Sequence, residues 1–184
     1  MHEKRFSGDI ERLRSAERVA RLEVETVIQL CLEGGGFKRI LDVGTGSGLF
    51  AEGYSKQGLE VTGIDANPNM PLTARKYIPN GRFLQATAEA LPFATGAFDL
   101  AFYGLVLHEA DDALKVLKAA RRVTRKRICV LEWPYREQTY GPAMEHRLSP
   151  TKLELLFKLA DFDSWNQIQL TNTVLYRLDG GNLV

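Results

Sequence analysis

Short apolar runs alternate along the chain with segments whose apolar residues recur at helical spacing. The runs predict five strands, at about 39–43, 60–64, 82–86, 98–105 and 127–132, and the alternating tail predicts one or two more within 164–178. Helical spacing predicts helices at about 7–32, 48–58, 67–77, 111–123 and 150–160, with Asp111 and Ser149 as N-caps. Because strands and helices alternate, we expect an α/β fold: a mostly parallel sheet with helices on both faces.

Length and composition narrow the class of protein. The 184 residues fit one domain (1–184), with an N-terminal helical segment (1–36) and a core (37–178). A net charge of +1 favours neither nucleic acid nor an anionic membrane as partner. No apolar stretch reaches the length of a membrane span and no signal core follows the N-terminus, so we expect a cytoplasmic protein, a monomer or homodimer. Cys31 and Cys129 lie in apolar runs and are expected to be buried free thiols.

The most informative stretch is residues 41–48, Leu-Asp-Val-Gly-Thr-Gly-Ser-Gly, where a predicted strand turns into a helix. Gly44, Gly46 and Gly48 can take positive φ and let a ligand approach the backbone. The spacing alone also resembles a nicotinamide-binding turn. Asp42 adds specificity: a carboxylate there would sit poorly beside a pyrophosphate, but it could hold the amino group of S-adenosylmethionine, directly or through water.

A second carboxylate, Asp65, ends the second predicted strand, 17 positions after Gly48. In Rossmann-type folds a carboxylate at this place accepts hydrogen bonds from ribose hydroxyls. The alternative is that Asp65 caps the helix that begins near Pro68. The ribose interpretation supports a nucleoside ligand without choosing between NAD and S-adenosylmethionine.

The loop at 85–93, after the third predicted strand, suits an adenine ring. An adenine needs apolar walls and a donor and an acceptor at its edge. The Ala88 N–H and the Thr87 hydroxyl could supply the edge contacts. Candidate walls are Ala66, Met70 and Leu91.

Residues 103–109 end the fourth predicted strand, where a reactive group should face the acceptor. His108 could act as a base, although a histidine in a loop is more often a structural or substrate-contacting group. His146, next to Glu145, could line the acceptor pocket. The three histidines and two separated cysteines offer no metal-ligand spacing, so no metal is expected. The basic run at 121–127 is interpreted as a solvated helix end.

Together these motifs resemble those of class I S-adenosylmethionine-dependent methyltransferases, of the small branch similar to the ubiquinone and menaquinone C-methyltransferases (UbiE-like, methyltransferase type 11). The resemblance covers roughly 38–178 and rests on four segments, at 40–48, 61–68, 88–93, and 98–100 with 107–112. It implies a Rossmann-like three-layer sandwich whose seven-stranded sheet has an antiparallel last strand. It also implies S-adenosylmethionine as cofactor and S-adenosylhomocysteine as product.

The chain departs from this family's pattern in two places. Thr87 stands where the adenine-contacting Asp is usual, and Met70-Pro71 replaces a helix former. The N-terminal helix is expected to close over the cofactor, with Arg5 and Phe6 near the pocket. The candidate cofactor-binding residues are Asp42, Gly44, Thr45, Gly46, Gly48, Asp65, Ala66, Met70, Thr87, Ala88, Glu89, Tyr103 and Gly104.

Three functions stay open at this point. The first is a methyltransferase acting on a small molecule, with His108 as candidate catalytic residue and His108 and His146 as candidate substrate contacts. The second is an NAD-dependent oxidoreductase, which Asp42 and the lack of chain for a separate substrate domain oppose. The third is a catalytically silent S-adenosylmethionine-binding module. The sequence does not reveal the acceptor, because carbon, oxygen, nitrogen and sulfur nucleophiles all use this scaffold.

Overall fold

One mixed sheet organises the computed structural model, which describes residues 11–179. The strands found there are β1 (Arg39–Val43), β2 (Glu60–Asp65), β3 (Arg82–Gln85), β4 (Phe98–Gly104), β5 (Thr124–Glu132), β6 (Asn166–Gln169) and β7 (Val174–Asp179). Their order across the sheet is β3-β2-β1-β4-β5-β7-β6. Strands β1 to β5 pair in parallel, and β7 runs antiparallel between β5 and β6. This arrangement confirms the predicted seven-stranded sheet with an antiparallel last strand.

Helices cover both faces of the sheet. They are α1 (Ala16–Arg21), α2 (Val24–Leu32), α3 (Leu49–Lys56), α4 (Asn69–Tyr77), α5 (Ala113–Val123) and α6 (Pro150–Leu159), with short 3₁₀ turns at Glu11–Arg14, Leu107–Glu109 and Met144–His146. Side chains of α2, α3 and α4 pack in one apolar cluster, and those of α5 and α6 pack in another. The result is the predicted three-layer sandwich.

Side chains of the central strands point alternately to the two faces of the sheet and so enter the two clusters in turn. In β1, Ile40 packs with one cluster and Leu41 with the other. In β4, Leu100 and Phe102 lie on the side of Ile40, whereas Ala101 lies on the side of Leu41. Successive side chains of a strand point to opposite faces, so a strand covered on both faces is apolar throughout. This explains the almost continuous apolar sequence of β4.

The strand order reverses direction between β1 and β4. After β1 the chain crosses to β2 and β3 on one side, then returns to β4 and β5 on the other. Open α/β sheets bind ligands outside the carboxyl ends of their strands at such a switch point. The turns after β1, β2, β4 and β5 therefore converge on the place where a ligand site is expected.

Several predicted boundaries differ from the structure for local reasons. Asp112, not Asp111, is the N-cap of α5, because its extended backbone lets its side chain accept a hydrogen bond from Lys115 N at 2.9 Å. Strand β5 begins at Thr124, directly after α5, since Thr124 is fully buried and pairs with Phe98. The prediction for Ser149 is confirmed: its side chain accepts from Lys152 N at the start of α6.

The predicted N-terminal helix is broken into shorter pieces. Glu23 takes a left-handed backbone conformation (φ 47°) between α1 and α2, which interrupts the helical hydrogen bonds. The expectations for Arg5 and Phe6 lie outside the described residues. None of the helices within residues 11–179 is both long and apolar enough to cross a membrane.

Candidate functional site

A cleft of about 970 Å³ opens at the carboxyl ends of the central strands. This volume lies at the upper end of small-molecule pockets, roughly 300–1,000 Å³, and leaves space for a nucleoside and a second small molecule. Residues between Arg12 and Leu22 form one of its walls, the N-terminal wall, and the segment after β5, from Trp133 to His146, forms another. The predicted residues that line it are Gly44, Thr45, Gly46, Asp65, Ala66, Met70, Thr87, Ala88, Glu89, Gly104, His108 and His146. Asp42, Gly48 and Tyr103 do not line it.

The turn after β1 is held by backbone contacts to β2. Thr45 N donates to Ile64 O at 2.8 Å, and Gly46 N donates to the Asp65 carboxylate at 2.9 Å. Gly44 has φ +68°, and a Cβ at this position would meet a methyl carbon of Val106 at 2.2 Å. Glycine at position 44 is therefore required both by backbone conformation and by the side chain that packs against it.

Asp65 joins the glycine turn to the end of β2. One of its carboxylate oxygens accepts from Gly46 N and the other accepts from Asn67 N, each at 2.9 Å. These bonds fix the carboxylate at the wall of the cleft. Asp65 thus orders the start of the following loop, but the N-cap position of α4 belongs to Pro68.

Asp42 lies beneath the glycine turn rather than in the cleft. The residue is 2% exposed, and the Thr45 hydroxyl donates to its carboxylate at 2.7 Å. Burial raises the pKa of Asp42 to about 7, in spite of the hydrogen bond from Thr45. The Asp42 carboxylate is therefore connected to the cleft only by its hydrogen bond with Thr45, which lines the cleft. It gains or loses its proton near neutral pH.

The loop that follows β3 lines another part of the cleft with Thr87, Ala88 and Glu89. The Glu89 carboxylate accepts from Asp111 N at 3.2 Å, which connects this loop to the segment before α5. Met70 lines the cleft from α4 and is otherwise buried. Leu91 belongs to the apolar cluster under α5 instead.

Tyr103 and Gly48 serve the interior of the fold. Tyr103 is 1% exposed and its phenolic oxygen has no hydrogen-bond partner within residues 11–179, so burial raises the pKa of the phenol. Gly48 begins α3 in the left-handed conformation, and a Cβ there would meet Ala74 at 3.0 Å. Both residues lie beside the cleft-lining turns without reaching the cleft.

His108 and Glu132 form a buried pair at the ends of β4 and β5. His108 Nδ1 lies 2.8 Å from one Glu132 oxygen, and the His108 backbone N–H donates to the other at 3.0 Å. Trp133 N donates to the same carboxylate at 3.3 Å. Three donors thus converge on a carboxylate that is 1% exposed, which fixes the orientation of the imidazole.

Burial and the neighbouring carboxylates act in opposite directions on the pKa of His108. Burial lowers the pKa of the imidazole, but the charge and hydrogen bond of Glu132, together with the charge of Glu109, outweigh burial, so the pKa lies above its ordinary value. With Nδ1 facing Glu132, Nε2 is the nitrogen that is left for a ligand, and it lies 3.9 Å from a Glu109 oxygen. A neutral His108 in this setting keeps the proton on Nδ1 and a lone pair on Nε2.

Glu132 was not among the residues predicted from sequence. A signal does exist: a glutamate closes the buried apolar run of β5 at its carboxyl end. A carboxylate in such a place needs a compensating partner. What the sequence does not show is that the partner lies 24 positions earlier, in the turn after β4.

The segment after β5 forms the aromatic wall of the cleft. Trp133, Tyr140 and His146 line it, and the Trp133 and Tyr140 rings lie 5.9 Å apart. Arg147 holds the segment together from within, donating to the carbonyl oxygens of Pro142 (2.9 Å), Pro134 (3.0 Å) and Tyr140 (2.8 Å). A buried arginine therefore gives shape to a wall that has no regular strand or long helix.

The comparisons with known proteins agree with the motifs. Residues 41–127 match a family model described as a methyltransferase domain. Over 99 residues the chain is 37% identical to the demethylmenaquinone methyltransferase of Chlorobaculum tepidum, a match that covers 53% of this chain and 41% of that protein. The chain thus spans less than half the length of this relative. These findings confirm the resemblance to class I S-adenosylmethionine-dependent methyltransferases of the UbiE-like type.

Solved structures extend the comparison to nearly the whole chain. A SAM-dependent methyltransferase from Aquifex aeolicus superposes with a TM-score of 0.77 at 22% identity, covering 91% of this chain and 95% of that one. The cyclase SpnF superposes with a TM-score of 0.69, also at 22% identity, covering 89% of this chain and 64% of that one. At such identities the likeness shows the fold alone.

Proposed function

We propose that the chain is an S-adenosylmethionine-dependent methyltransferase that acts on a small-molecule acceptor. The observation that carries the proposal is the content of one cleft. The glycine turn and Asp65 line one part of it, and His108, held by Glu132, lines another. The first part suits a nucleoside with a cationic tail, and the second suits proton removal from an acceptor.

The residues at the glycine turn fit the proposed cofactor. Asp65 lines the cleft, where its carboxylate would accept hydrogen bonds from ribose hydroxyls, and Gly44 and Gly46 present backbone at the cleft wall. Met70 and Ala88 provide apolar walls for an adenine. When bound, S-adenosylmethionine supplies an electrophilic methyl group. Asp42 would assist the amino group only through Thr45 or water, since it does not reach the cleft.

At the other part of the cleft, His108 is the candidate general base. Glu132 holds the Nδ1 proton, so Nε2 can accept a proton from an acceptor hydroxyl, amine or acidic carbon as it attacks. Glu132 also stabilises the imidazolium that forms. The Trp133 and Tyr140 rings would hold the acceptor in line with the methyl group, which itself contributes to the rate. His146 lies on the same wall as a candidate substrate contact.

The two other functions lose support. A pyrophosphate would meet a turn with a carboxylate buried directly beneath it, which opposes the NAD interpretation. The fold alone does not decide between turnover and other roles, because the cyclase SpnF shares it. The buried His108–Glu132 pair favours turnover, since a silent binding module has no need for a buried carboxylate paired with an imidazole in its cleft.

Ligand binding tests the proposal directly. S-adenosylhomocysteine at a hundred times its Kd should stabilise the protein by about 2.7 kcal/mol, whereas NAD should give no shift in Tm. Asp65→Ala should weaken S-adenosylhomocysteine binding at least tenfold in calorimetry, because it removes a charged hydrogen-bond acceptor. Asp163→Ala, an exposed aspartate outside the cleft, is the matched control and should bind as the wild type does. Stabilisation by NAD and not by S-adenosylhomocysteine would overturn the proposal.

A further inference from the structure

Two arginines of the N-terminal wall are already committed to partners. Arg14 donates to Ser47 O at 3.0 Å and pairs with Glu52, which ties the wall to the glycine turn. Arg21 pairs with Glu17, and its guanidinium lies 4.3 Å from the centre of the Tyr140 ring. Each of these cations is compensated by the protein itself.

Arg18 is different. It lies between these two residues on α1, its side chain lines the cleft, and it is partly buried. Yet its guanidinium makes no hydrogen bond or ion pair with any residue from 11 to 179. Its hydrogen bonds there are made by the backbone: its N–H donates to the Ser15 hydroxyl, and its carbonyl oxygen accepts from Leu22 N. Burial and the nearby charge of Arg21 lower its pKa, while Glu109 acts in the opposite direction without pairing with it. An arginine stays charged under these conditions, so this cation has no partner among residues 11–179.

An unpaired, partly desolvated guanidinium costs free energy, which an incoming anion would recover. Its five donors in a rigid fork match a carboxylate especially well. From these observations we propose that the methyl acceptor carries a carboxylate and that Arg18 binds it. The inference rests on the proposed function and names the substrate class for it.

The position of Arg18 favours the acceptor as the source of that carboxylate. The charged groups that act on Arg18 are Arg21, beside Tyr140, and Glu109, beside His108. Both lie toward the His108 part of the cleft. The glycine turn, in contrast, is contacted by Arg14. A carboxylate on Arg18 would therefore belong to a molecule that also reaches His108.

The surroundings also favour one negative charge and an apolar body. Arg18 contributes one positive charge to this wall, which a single carboxylate balances and a doubly charged phosphate exceeds. Leu22, Trp133 and Tyr140 line the adjoining walls. An aromatic or aliphatic acid fits this lining, with its carboxylate on Arg18 and its nucleophilic atom near His108 Nε2.

Calorimetry with matched probe pairs tests the inference without knowing the acceptor. The wild-type protein is first saturated with S-adenosylhomocysteine and then titrated with three carboxylates and their amides: salicylate and salicylamide, phenylacetate and phenylacetamide, hexanoate and hexanamide. We expect at least one carboxylate to bind more tightly than its amide. Arg18→Gln should weaken that binding about tenfold or more, because the bond is charge-assisted, and Arg18→Lys should restore part of it. Arg82→Gln, at an exposed arginine that does not line the cleft, should leave it unchanged.

A second arm separates the acceptor from the cofactor. S-adenosylhomocysteine has an amino-acid carboxylate, whereas methylthioadenosine lacks it. If Arg18 serves the acceptor, Arg18→Gln changes the Kd of neither nucleoside. A selective loss of S-adenosylhomocysteine affinity would assign Arg18 to the cofactor and overturn the inference. It is also wrong if no carboxylate binds wild type more tightly than its amide. Failure of S-adenosylhomocysteine to bind the wild type would instead refute the proposed function.

Discussion

The two parts of the cleft are built in different ways. The part proposed for the cofactor is built on a glycine turn whose backbone N–H groups bind the neighbouring strand: Thr45 N donates to Ile64 O, and Gly46 N donates to the Asp65 carboxylate. The part proposed for the acceptor consists of side chains that come from distant segments, such as His108 and Glu132. A turn is encoded by neighbouring residues, whereas a side-chain pair depends on how the whole sheet assembles. The chemistry that is general to the fold therefore lies in local sequence, and the chemistry that distinguishes this chain does not.

The largest expected effect comes from Glu132→Gln at the acceptor part. A glutamine amide has only one oxygen, so it cannot accept from the His108 N–H, the Trp133 N–H and Nδ1 in the way the carboxylate does. An amide NH2 turned toward Nδ1 favours the tautomer with the proton on Nε2. We expect turnover of a confirmed acceptor to fall by roughly 10²–10⁴-fold, as when a base is held in the wrong tautomer. Because the Glu132 carboxylate raises the pKa of His108, the variant should also lower that pKa, which an NMR titration of the imidazole measures.

Two controls make that prediction sharp. S-adenosylhomocysteine affinity should be unchanged in Glu132→Gln, since Glu132 does not line the cleft. His108→Ala should lose about as much activity as the double variant, because residues that act as one unit are not additive. Normal turnover in Glu132→Gln, or an unchanged His108 pKa, would show that the pair is only structural.

At the cofactor part, alanine variants of two glycines separate the cost of a steric clash from the cost of backbone strain. Gly44 and Gly58 both have positive φ, +68° and +81°, so alanine is strained at either place, by roughly 1–2 kcal/mol. Only at Gly44 would the new Cβ also collide with Val106, at 2.2 Å; at Gly58 it meets open space. We expect Gly44→Ala to lower the free energy of unfolding by about 1–3 kcal/mol more than Gly58→Ala does.

Urea unfolding of the two alanine variants measures this difference, and calorimetry with S-adenosylhomocysteine adds a second readout. Gly44 lines the cleft and Gly58 does not, so only the first variant should lose cofactor affinity. Equal destabilisation of both variants would mean that the turn after β1 relaxes around a side chain. Its shape would then not depend on the contact with Val106.

The sequence predicted the sheet, the bounds of β1, and twelve of the residues that line the cleft, because each depends on local pattern. Apolar runs and glycine turns carry that pattern. Local pattern could not decide which of two adjacent aspartates caps a helix. Asp112 caps α5 in place of Asp111, because the choice depends on where the backbone becomes extended. Tyr103 sits on a cleft-side strand, but strand alternation points it into the core.

Long-range pairing was beyond the reach of sequence patterns. Glu132 terminates an apolar strand, yet only the parallel pairing of β4 with β5 brings it to His108. Nothing in the local sequence distinguishes Arg18 from the other arginines of α1 and of the 3₁₀ turn before it. Its significance appears only when Arg14 and Arg21 are seen to have partners.

The smallest expected effect on cofactor binding concerns Asp42, which lies under the cofactor part without lining it. Its pKa is raised to about 7 by burial, well above the roughly 3.9 of an unfolded aspartate. The folded state therefore binds a proton more tightly than the unfolded state. The stability that this proton contributes is complete below about pH 4 and is lost as pH rises through 7. Asp42→Asn, which keeps an acceptor for the Thr45 hydroxyl, should flatten this part of the pH profile in urea unfolding.

Cofactor affinity then decides whether Asp42 acts beyond the fold. If its carboxylate helps to hold the cofactor's amino group through Thr45 or water, it must ionise for binding, so S-adenosylhomocysteine affinity should rise up to about tenfold between pH 6 and 8. Asp42→Asn should remove that rise, and the difference between the two proteins cancels any titration of the ligand's own amine. Parallel pH profiles of affinity, with a difference in stability alone, would make Asp42 a packing residue of the turn. Glycine-turn backbone and Asp65 would then hold the cofactor without it.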